Sequence, residues 1–133
     1  MQQEIKNSCF GKQILVAEDC PDARLLLKYT LKEIGVEVSF VNNGKDCVKE
    51  ALRALNDNSP YRLILMDIQM PILDGYEATK QLRSKGYKYP IVILSTRSTS
   101  IDQEATLDVG CNCHLSKQSG KEVLLETVAG YLQ

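Results

Sequence analysis

The chain has 133 residues, of which 44% are hydrophobic and 25% are charged, and its formal net charge is −1. This length suits one domain with a single core. Charges of one sign form no long block, and no run of residues approaches the roughly 18 apolar residues that a membrane span needs, so neither a nucleic-acid-binding arm nor a membrane segment is indicated.

Residues 1–12 are polar and are predicted to be a leader or linker, whereas residues 13–133 are predicted to form the domain. From residue 13 onward, short runs rich in Val, Ile and Leu alternate with segments of helical period. The predicted strands cover residues 13–17, 36–41, 61–66, 90–95 and 112–116. The predicted helices cover about residues 21–35, 44–57, 74–86, 100–109 and 119–132.

This alternation predicts an α/β fold, in which five helices cover a five-stranded parallel sheet through right-handed crossovers. Three of the strands are continuously apolar at residues 14–17, 63–66 and 91–94, which is typical of central strands covered on both faces. In such a sheet, ligands bind outside the carboxyl ends of the strands. The residues that follow each strand are therefore the candidate site.

Acidic side chains follow two of the predicted strands. Glu18 and Asp19 come after the first, and Asp67 comes after the third. Carboxylates a few ångströms apart repel by roughly 4 kcal/mol per pair at an effective dielectric near 20, so positive charge must offset them. Lys117, after the fifth strand, supplies one charge. A divalent ion would supply the rest of the positive charge. Oxygen ligands without His or Cys favour Mg²⁺, or Mn²⁺ in its place, as that ion.

The fourth strand ends in Ser95 and Thr96, whose hydroxyl groups can donate hydrogen bonds to an anionic oxygen. A phosphoryl group at this edge would need such a donor together with a cation. Asp67 is then a candidate nucleophile that forms an acyl phosphate.

Four motifs at these positions resemble those of the receiver (response-regulator) domains of two-component and phosphorelay signalling. They are ILVAED (14–19), LILMDIQMPILDG (63–75), PIVILST (90–96) and HLSK (114–117). The resemblance covers residues 13–132 and implies a doubly wound, flavodoxin-like sheet with strand order 2-1-3-4-5. It also implies that Asp67 is the phosphoacceptor and that the donor is the phosphohistidine of a histidine kinase or phosphotransfer domain.

The resemblance assigns further roles residue by residue. Ser95 matches the switch hydroxyl, and Lys117 matches the phosphate-binding lysine. The implied metal ligands are the carboxylates of Glu18, Asp19 and Asp67 and the backbone carbonyl of Gln69.

Several positions match tuning sites or depart from the common pattern. Gln69 and Arg97 match positions that tune phosphoryl lifetime, although either could equally be a solvated loop side chain. Gln118 stands where a proline usually follows the lysine, so the geometry around that lysine is an open question. His114 replaces the usual Tyr or Phe switch residue, and Thr96 replaces a small residue beside the phosphoacceptor.

Three other functions are weighed against this hypothesis. A phosphatase of the haloacid dehalogenase type would need a second Asp where the chain has Gln69. A flavodoxin-like cofactor binder would need a phosphate-binding first loop, whereas EDCPD (18–22) is acidic. A degenerate receiver that only binds proteins is disfavoured because the acids, hydroxyl and lysine are all present. The Cys111-Cys113-His114 spacing is not that of a zinc site.

The resemblance implies a signalling switch rather than an enzyme, with slow autodephosphorylation as its only other reaction. Its output would be a change in partner affinity at the surface formed by the fourth helix, fifth strand and fifth helix. We expect no DNA-binding domain after the last helix, no nucleic-acid binding and no direct membrane contact. Unpaired cysteine spacing and the lack of a signal peptide indicate a cytoplasmic chain. Residues 10–12 resemble the linker before hybrid-kinase receivers, so a stand-alone regulator and the cytosolic part of a membrane-bound hybrid kinase both stay open.

Overall fold

The computed structural model describes residues 11–95 and 108–132. Its sheet has five parallel strands in the order β2-β1-β3-β4-β5, which confirms the predicted topology. The bounds of the strands are β1 Gln13–Ala17, β2 Glu37–Val41, β3 Leu63–Asp67, β4 Ile91–Ser95 and β5 Cys113–Ser116. Each lies within two residues of its predicted bounds.

Four helices lie in the described ranges: α1 Pro21–Lys32, α2 Gly44–Asn56, α3 Gly75–Ser84 and α4 Lys121–Leu132. The helix predicted over residues 100–109 and the leader predicted over residues 1–12 lie largely outside the described residues. None of the helices in the described ranges has the length and apolar character that crossing a bilayer requires.

Local signals explain where three helices begin. Pro21 stands at the first position of α1, where its missing N–H removes no helical hydrogen bond. The Asn43 side chain accepts a 2.7 Å hydrogen bond from the amide of Asp46 at the start of α2. The Asp74 side chain accepts a 2.9 Å hydrogen bond from the amide of Glu77 at the start of α3. These caps satisfy amides that the helices leave free.

The core has two layers, one on each face of the sheet. In β1, the side chains of Leu15 and Ala17 pack on one face, while those of Ile14 and Val16 pack on the other. All four are at most 1% exposed. Burial on both faces is the physical reason why the central strands are continuously apolar rather than alternating.

Strand β3 leaves this core at its carboxyl end. Residues Leu63 to Met66 are fully buried, and the next residue, Asp67, has a side chain that is 13% exposed. In register, Asp67 pairs with Leu94, one residue before Ser95. The apolar run therefore ends at the edge of the sheet where the candidate site was predicted.

Candidate functional site

Three carboxylates meet at the carboxyl edge of the sheet. The side chains of Glu18, Asp19 and Asp67 each offer an oxygen, and these oxygens lie within 4.8 Å of one another. Glu18 is 1% exposed, whereas Asp19 is exposed. Within the described ranges, this is the group of acidic, His or Cys side chains that comes close enough to hold a metal ion.

Backbone hydrogen bonds extend the sheet into the segments that carry these side chains. The amide of Glu18 donates to the carbonyl of Val41 at 3.0 Å, so the first acid is held beside the end of β2. The amide of Ile68 donates to the carbonyl of Leu94 at 3.3 Å, which fixes the chain just after Asp67. The site therefore rests on strand ends rather than on free loops.

Lys117 lies between two of the carboxylates. Its Nζ is 2.6 Å from Oε1 of Glu18 and 3.2 Å from Oδ2 of Asp67. Burial by itself lowers the pKa of Lys117, but its hydrogen bonds and charge interactions with Glu18 and Asp67 outweigh this effect and raise the pKa above the usual 10.5. The ammonium group is therefore kept charged at neutral pH.

One lysine does not neutralise the cluster. Three carboxylates and one ammonium leave two formal negative charges. Each pair of carboxylates within 4.8 Å repels by roughly 3.5 kcal/mol or more at an effective dielectric of 20. A divalent cation would balance this charge, and a donor set of oxygen atoms alone fits Mg²⁺ or Mn²⁺ rather than zinc.

Ser95 ends the neighbouring strand and is 8% exposed. Its carbonyl accepts a 2.7 Å hydrogen bond from the amide of Lys117, so the predicted switch hydroxyl and the lysine lie on adjoining strand ends. Gln69 is exposed in the loop after β3. Thr96 and Arg97 lie outside the described residues.

The turn after β5 shows how the backbone around Lys117 is arranged when Gln118, and not a proline, follows the lysine. No peptide bond in the described residues is cis, and Lys117 nevertheless reaches two carboxylates. The amide of Gln118 donates a 3.1 Å hydrogen bond to Oγ of Ser116. Because proline has no amide hydrogen, the usual residue at this position could not make that bond.

His114 lies within β5, in register with Ile93, and is partly exposed. Burial raises the pKa of the neighbouring Cys111 thiol to about 11, and it also raises the pKa of the Cys113 thiol. No metal cluster in the described ranges includes these cysteines or His114. The interpretation of the cysteines as packing thiols is consistent with their burial.

At two glycines, the backbone packs closely against the segment from Asp67 to Leu73. A Cβ on Gly75 would lie 2.6 Å from the carbonyl oxygen of Asp67, and a Cβ on Gly44 would lie 2.1 Å from the carbonyl oxygen of Leu73. The amide of Gly44 also donates to that Leu73 oxygen at 3.1 Å. The start of α2 thus packs against the loop and is hydrogen-bonded to it. This role of Gly44 was not predicted from the sequence, because the contact joins two segments that are distant along the chain.

Within the same loop, Ile72 has a φ of 72°, and the amide of Leu73 donates to the carbonyl of Pro71 at 2.8 Å. This is a γ-turn with positive φ, a rare and strained conformation for a β-branched residue. The Ile72 side chain is 75% exposed. The turn redirects the chain from the site toward α3.

A cavity of about 240 Å³ lies beside the cluster, between α1 and α4. Its lining is mostly apolar and includes Leu26, Leu27 and Leu124, and it reaches Glu18 and Lys117. Leu26 is 69% exposed, and Leu25 and Tyr29 on the same helix are 52% and 62% exposed. The acidic site therefore adjoins an exposed apolar surface.

Comparisons with known proteins show which family the chain resembles. The chain is 32% identical over 131 residues to the peroxide stress-activated histidine kinase mak3 of Schizosaccharomyces pombe, a match that covers 95% of this chain and 6% of the kinase. It is 35% identical over 114 residues to the two-component response regulator ORR41 of Oryza sativa subsp. japonica, covering 84% of this chain and 87% of the regulator. The chain thus spans only a small part of the kinase that it matches.

A solved structure gives a similar result. The receiver domain of the sensor histidine kinase PA1611 from Pseudomonas aeruginosa, which has a magnesium ion coordinated in its active site cleft, superimposes with a TM-score of 0.80 at 31% identity. The match covers 92% of this chain and 98% of that domain. The family model for the response regulator receiver domain matches residues 14–129. The chain accordingly belongs to the response regulator receiver domain family of two-component signalling.

Proposed function

We propose that this receiver domain accepts a phosphoryl group on Asp67 from the phosphohistidine of a histidine kinase or phosphotransfer domain. The observation that carries the proposal is the convergence of Glu18, Asp19 and Asp67 within 4.8 Å, with Lys117 bonded to two of them. The reaction requires a carboxylate nucleophile and positive charge near the phosphoryl oxygens. Lys117 supplies one positive charge, and the surplus negative charge of the cluster suits a divalent ion that would supply the rest.

In the proposed step, an oxygen of Asp67 attacks phosphorus. The new O–P bond forms as the N–P bond of the donor phosphohistidine breaks, and the electron pair of that bond returns to the imidazole. The product is an acyl phosphate on Asp67. Lys117 stabilises the charge on the transferring oxygens, and the hydroxyl of Ser95 donates a hydrogen bond to one of them.

Mg²⁺ is the proposed cofactor, and Mn²⁺ can replace it because both prefer oxygen ligands in octahedral geometry. The proposed ligands are the carboxylates of Glu18, Asp19 and Asp67 and the backbone carbonyl of Gln69. When bound, the ion would neutralise charge on the phosphoryl oxygens. The three carboxylates support this assignment by their proximity, and Glu18, also paired with Lys117, could act directly or through a water molecule.

Phosphorylation is proposed to act as a switch rather than as part of a catalytic cycle on an external substrate. The hydrogen bond between the Lys117 amide and the Ser95 carbonyl supports a coupled response of β4 and β5. We infer that the affected surface includes β5 and α4 and that it changes its affinity for a protein partner. Slow hydrolysis of the acyl phosphate would reset the switch, at a rate tuned by Gln69, Thr96, Arg97 and His114.

The proposed donor is a protein, and the surroundings of the site favour this. Leu26, which is 69% exposed, lines the cavity that reaches Lys117, and the exposed Leu25 and Tyr29 lie on the same helix, so a donor could bury apolar surface while presenting its phosphohistidine. We propose a cytoplasmic setting, either as a stand-alone regulator or as part of a hybrid kinase. We propose no role in nucleic-acid binding or in direct membrane contact.

Labelling with acetyl phosphate tests the proposed acceptor. Intact-mass spectrometry should detect one added phosphoryl group on the wild-type chain with Mg²⁺ and none when the metal is chelated. Asp67→Asn should abolish the added mass. Asp74→Asn is the matched control, because Asp74 lies in the same loop but caps α3, and asparagine caps equally well. Undiminished labelling of Asp67→Asn would overturn the proposal.

A further inference from the structure

The turn that carries Lys117 is closed by two hydrogen bonds. The amide of Ser119 donates to the carbonyl of Ser116 at 3.1 Å, which makes Lys117 and Gln118 the two central residues of a β-turn. The amide of Gln118 donates to Oγ of Ser116, also at 3.1 Å. The serine side chain thus binds the backbone two residues ahead, a local device that defines turn geometry.

A third hydrogen bond joins this turn to the sheet. The amide of Lys117 donates to the carbonyl of Ser95 at 2.7 Å. The peptide before Lys117 is therefore held by β4, and the peptide after it is held by the Ser116 hydroxyl. Both flanking peptides of the lysine are fixed, although its side chain is long and flexible.

We propose that Ser116 is a positioning residue for Lys117: its hydroxyl fixes the Lys117–Gln118 peptide, so that the ammonium group points to Glu18 and Asp67. The Nζ atom reaches Glu18 at 2.6 Å and Asp67 at 3.2 Å, and a rotation of this peptide would move the origin of the side chain. The effect on phosphoryl transfer rests on the proposed function, whereas the effect on the ion pair does not.

This arrangement depends on the residue at position 118 having an amide hydrogen. Proline at this position would remove the donor, and it is also disfavoured as the second central residue of the commonest β-turn. Ser116 and Gln118 therefore form a coupled pair, in which the glutamine contributes its backbone and the serine its side chain. The Gln118 side chain is not required.

Five variants, two of which carry Lys117→Ala, separate positioning from general stability. Ser116→Ala removes the hydroxyl and should slow Mg²⁺-dependent labelling by acetyl phosphate by about three- to tenfold, the effect of one hydrogen bond on a rate. Ser116→Thr retains a hydroxyl and should restore the rate. Gln118→Ala retains the amide and should label as the wild type does. In a Lys117→Ala background, Ser116→Ala should slow labelling no further, since its effect passes through the lysine.

A second double-mutant cycle uses the same variants but measures urea unfolding of the metal-free protein, so it needs no phosphorylation. Ser116→Ala should lower the midpoint of urea unfolding less in the Lys117→Ala background than in the wild type, because part of its effect is a weaker ion pair. Equal slowing or equal destabilisation in both backgrounds would overturn the proposal and leave Ser116 with a purely structural role. An unlabelled wild type that shows coupling in unfolding would refute the proposed function but support the positioning role.

Discussion

Replacing Lys117 with Ala tests the electrostatic account of the site directly. The side chain of Glu18 is 2% exposed, and its nearest cationic partner is Nζ of Lys117 at 2.6 Å. Without the lysine, that carboxylate remains buried beside two other acids. We therefore expect the metal-free variant to be less stable than the wild type.

The size of the loss follows from burial. Removing one partner of a fully buried ion pair costs about 3–5 kcal/mol. Because the Lys117 side chain is 26% exposed, solvent screens part of the interaction, and we expect about 2–3 kcal/mol. For a chain of 133 residues this lowers the thermal midpoint by roughly 6–12 °C.

A divalent cation should reverse much of this loss, since it supplies the positive charge that the variant lacks. Thermal unfolding followed by circular dichroism, with a chelator and then with saturating Mg²⁺, measures both effects. The matched control is Lys121→Ala, which breaks a pair with Glu33 at 2.5 Å whose side chains are 56% and 43% exposed. That control should cost at most about 1 kcal/mol relative to the wild type, and this difference should be the same with and without Mg²⁺, because Lys121→Ala keeps the acidic cluster.

The dependence on pH has a definite sign. Because the pKa of Lys117 is raised in the folded chain, its contribution is fully present below the ordinary value of 10.5 and is lost as the pH rises through the folded-state pKa. The stability difference between wild type and Lys117→Ala should thus stay constant from neutral to mildly alkaline pH. A Lys117→Ala variant no less stable than Lys121→Ala, or one unaffected by Mg²⁺, would refute this reasoning.

Three further predictions concern the scaffold. Gly44→Ala places a Cβ 2.1 Å from the Leu73 carbonyl oxygen, so urea unfolding should show a loss of about 1–3 kcal/mol, whereas Gly130→Ala, in open space on α4, should stabilise by about 0.5–1 kcal/mol. Tyr87→Phe removes a buried hydroxyl that donates at 2.8 Å to a main-chain carbonyl, which should cost about 1–3 kcal/mol in the same assay. The pKa of Glu50 is lowered to about 2, mainly by the hydrogen bond from a neighbouring arginine, so Glu50→Gln should be less stable than the wild type above pH 4.5 and the difference should shrink as the pH falls toward 2. The first expectation would be contradicted if Gly44→Ala and Gly130→Ala had equal free energies of unfolding. The second would be contradicted if Tyr87→Phe were as stable as the wild type. The third would be contradicted if the stability difference between the wild type and Glu50→Gln grew as the pH fell.

The strands were predictable because burial on both faces leaves a signal within a few adjacent residues. Leu63 to Met66 are fully buried, and their apolar run alone predicted β3. The proximity of Glu18, Asp67 and Lys117 was also predictable, since parallel strands place their carboxyl ends along one edge. These inferences need only local pattern and sheet topology.

Other features depend on how distant loops meet, and no local pattern encodes that. The contact of Gly44 with Leu73 joins the start of α2 to the loop after β3, and the sequence indicated only a helix start at Gly44. The role of the Ser116 hydroxyl arises because Gln118 has an amide where a proline is usual. The absence of proline was visible in the sequence, but the bond that uses the free amide was not.

The γ-turn at Ile72 bears on how far this chain could be stabilised. A β-branched residue held at a φ of 72° carries a conformational cost of about 1–3 kcal/mol, and its 75% exposed side chain recovers little of that by burial. Glycine adopts a positive φ with less strain, so Ile72→Gly should raise the midpoint of chemical denaturation. An exposed apolar side chain at such a position lowers the stability of the folded domain. This position is therefore the first one to substitute when a more stable variant of the domain is designed.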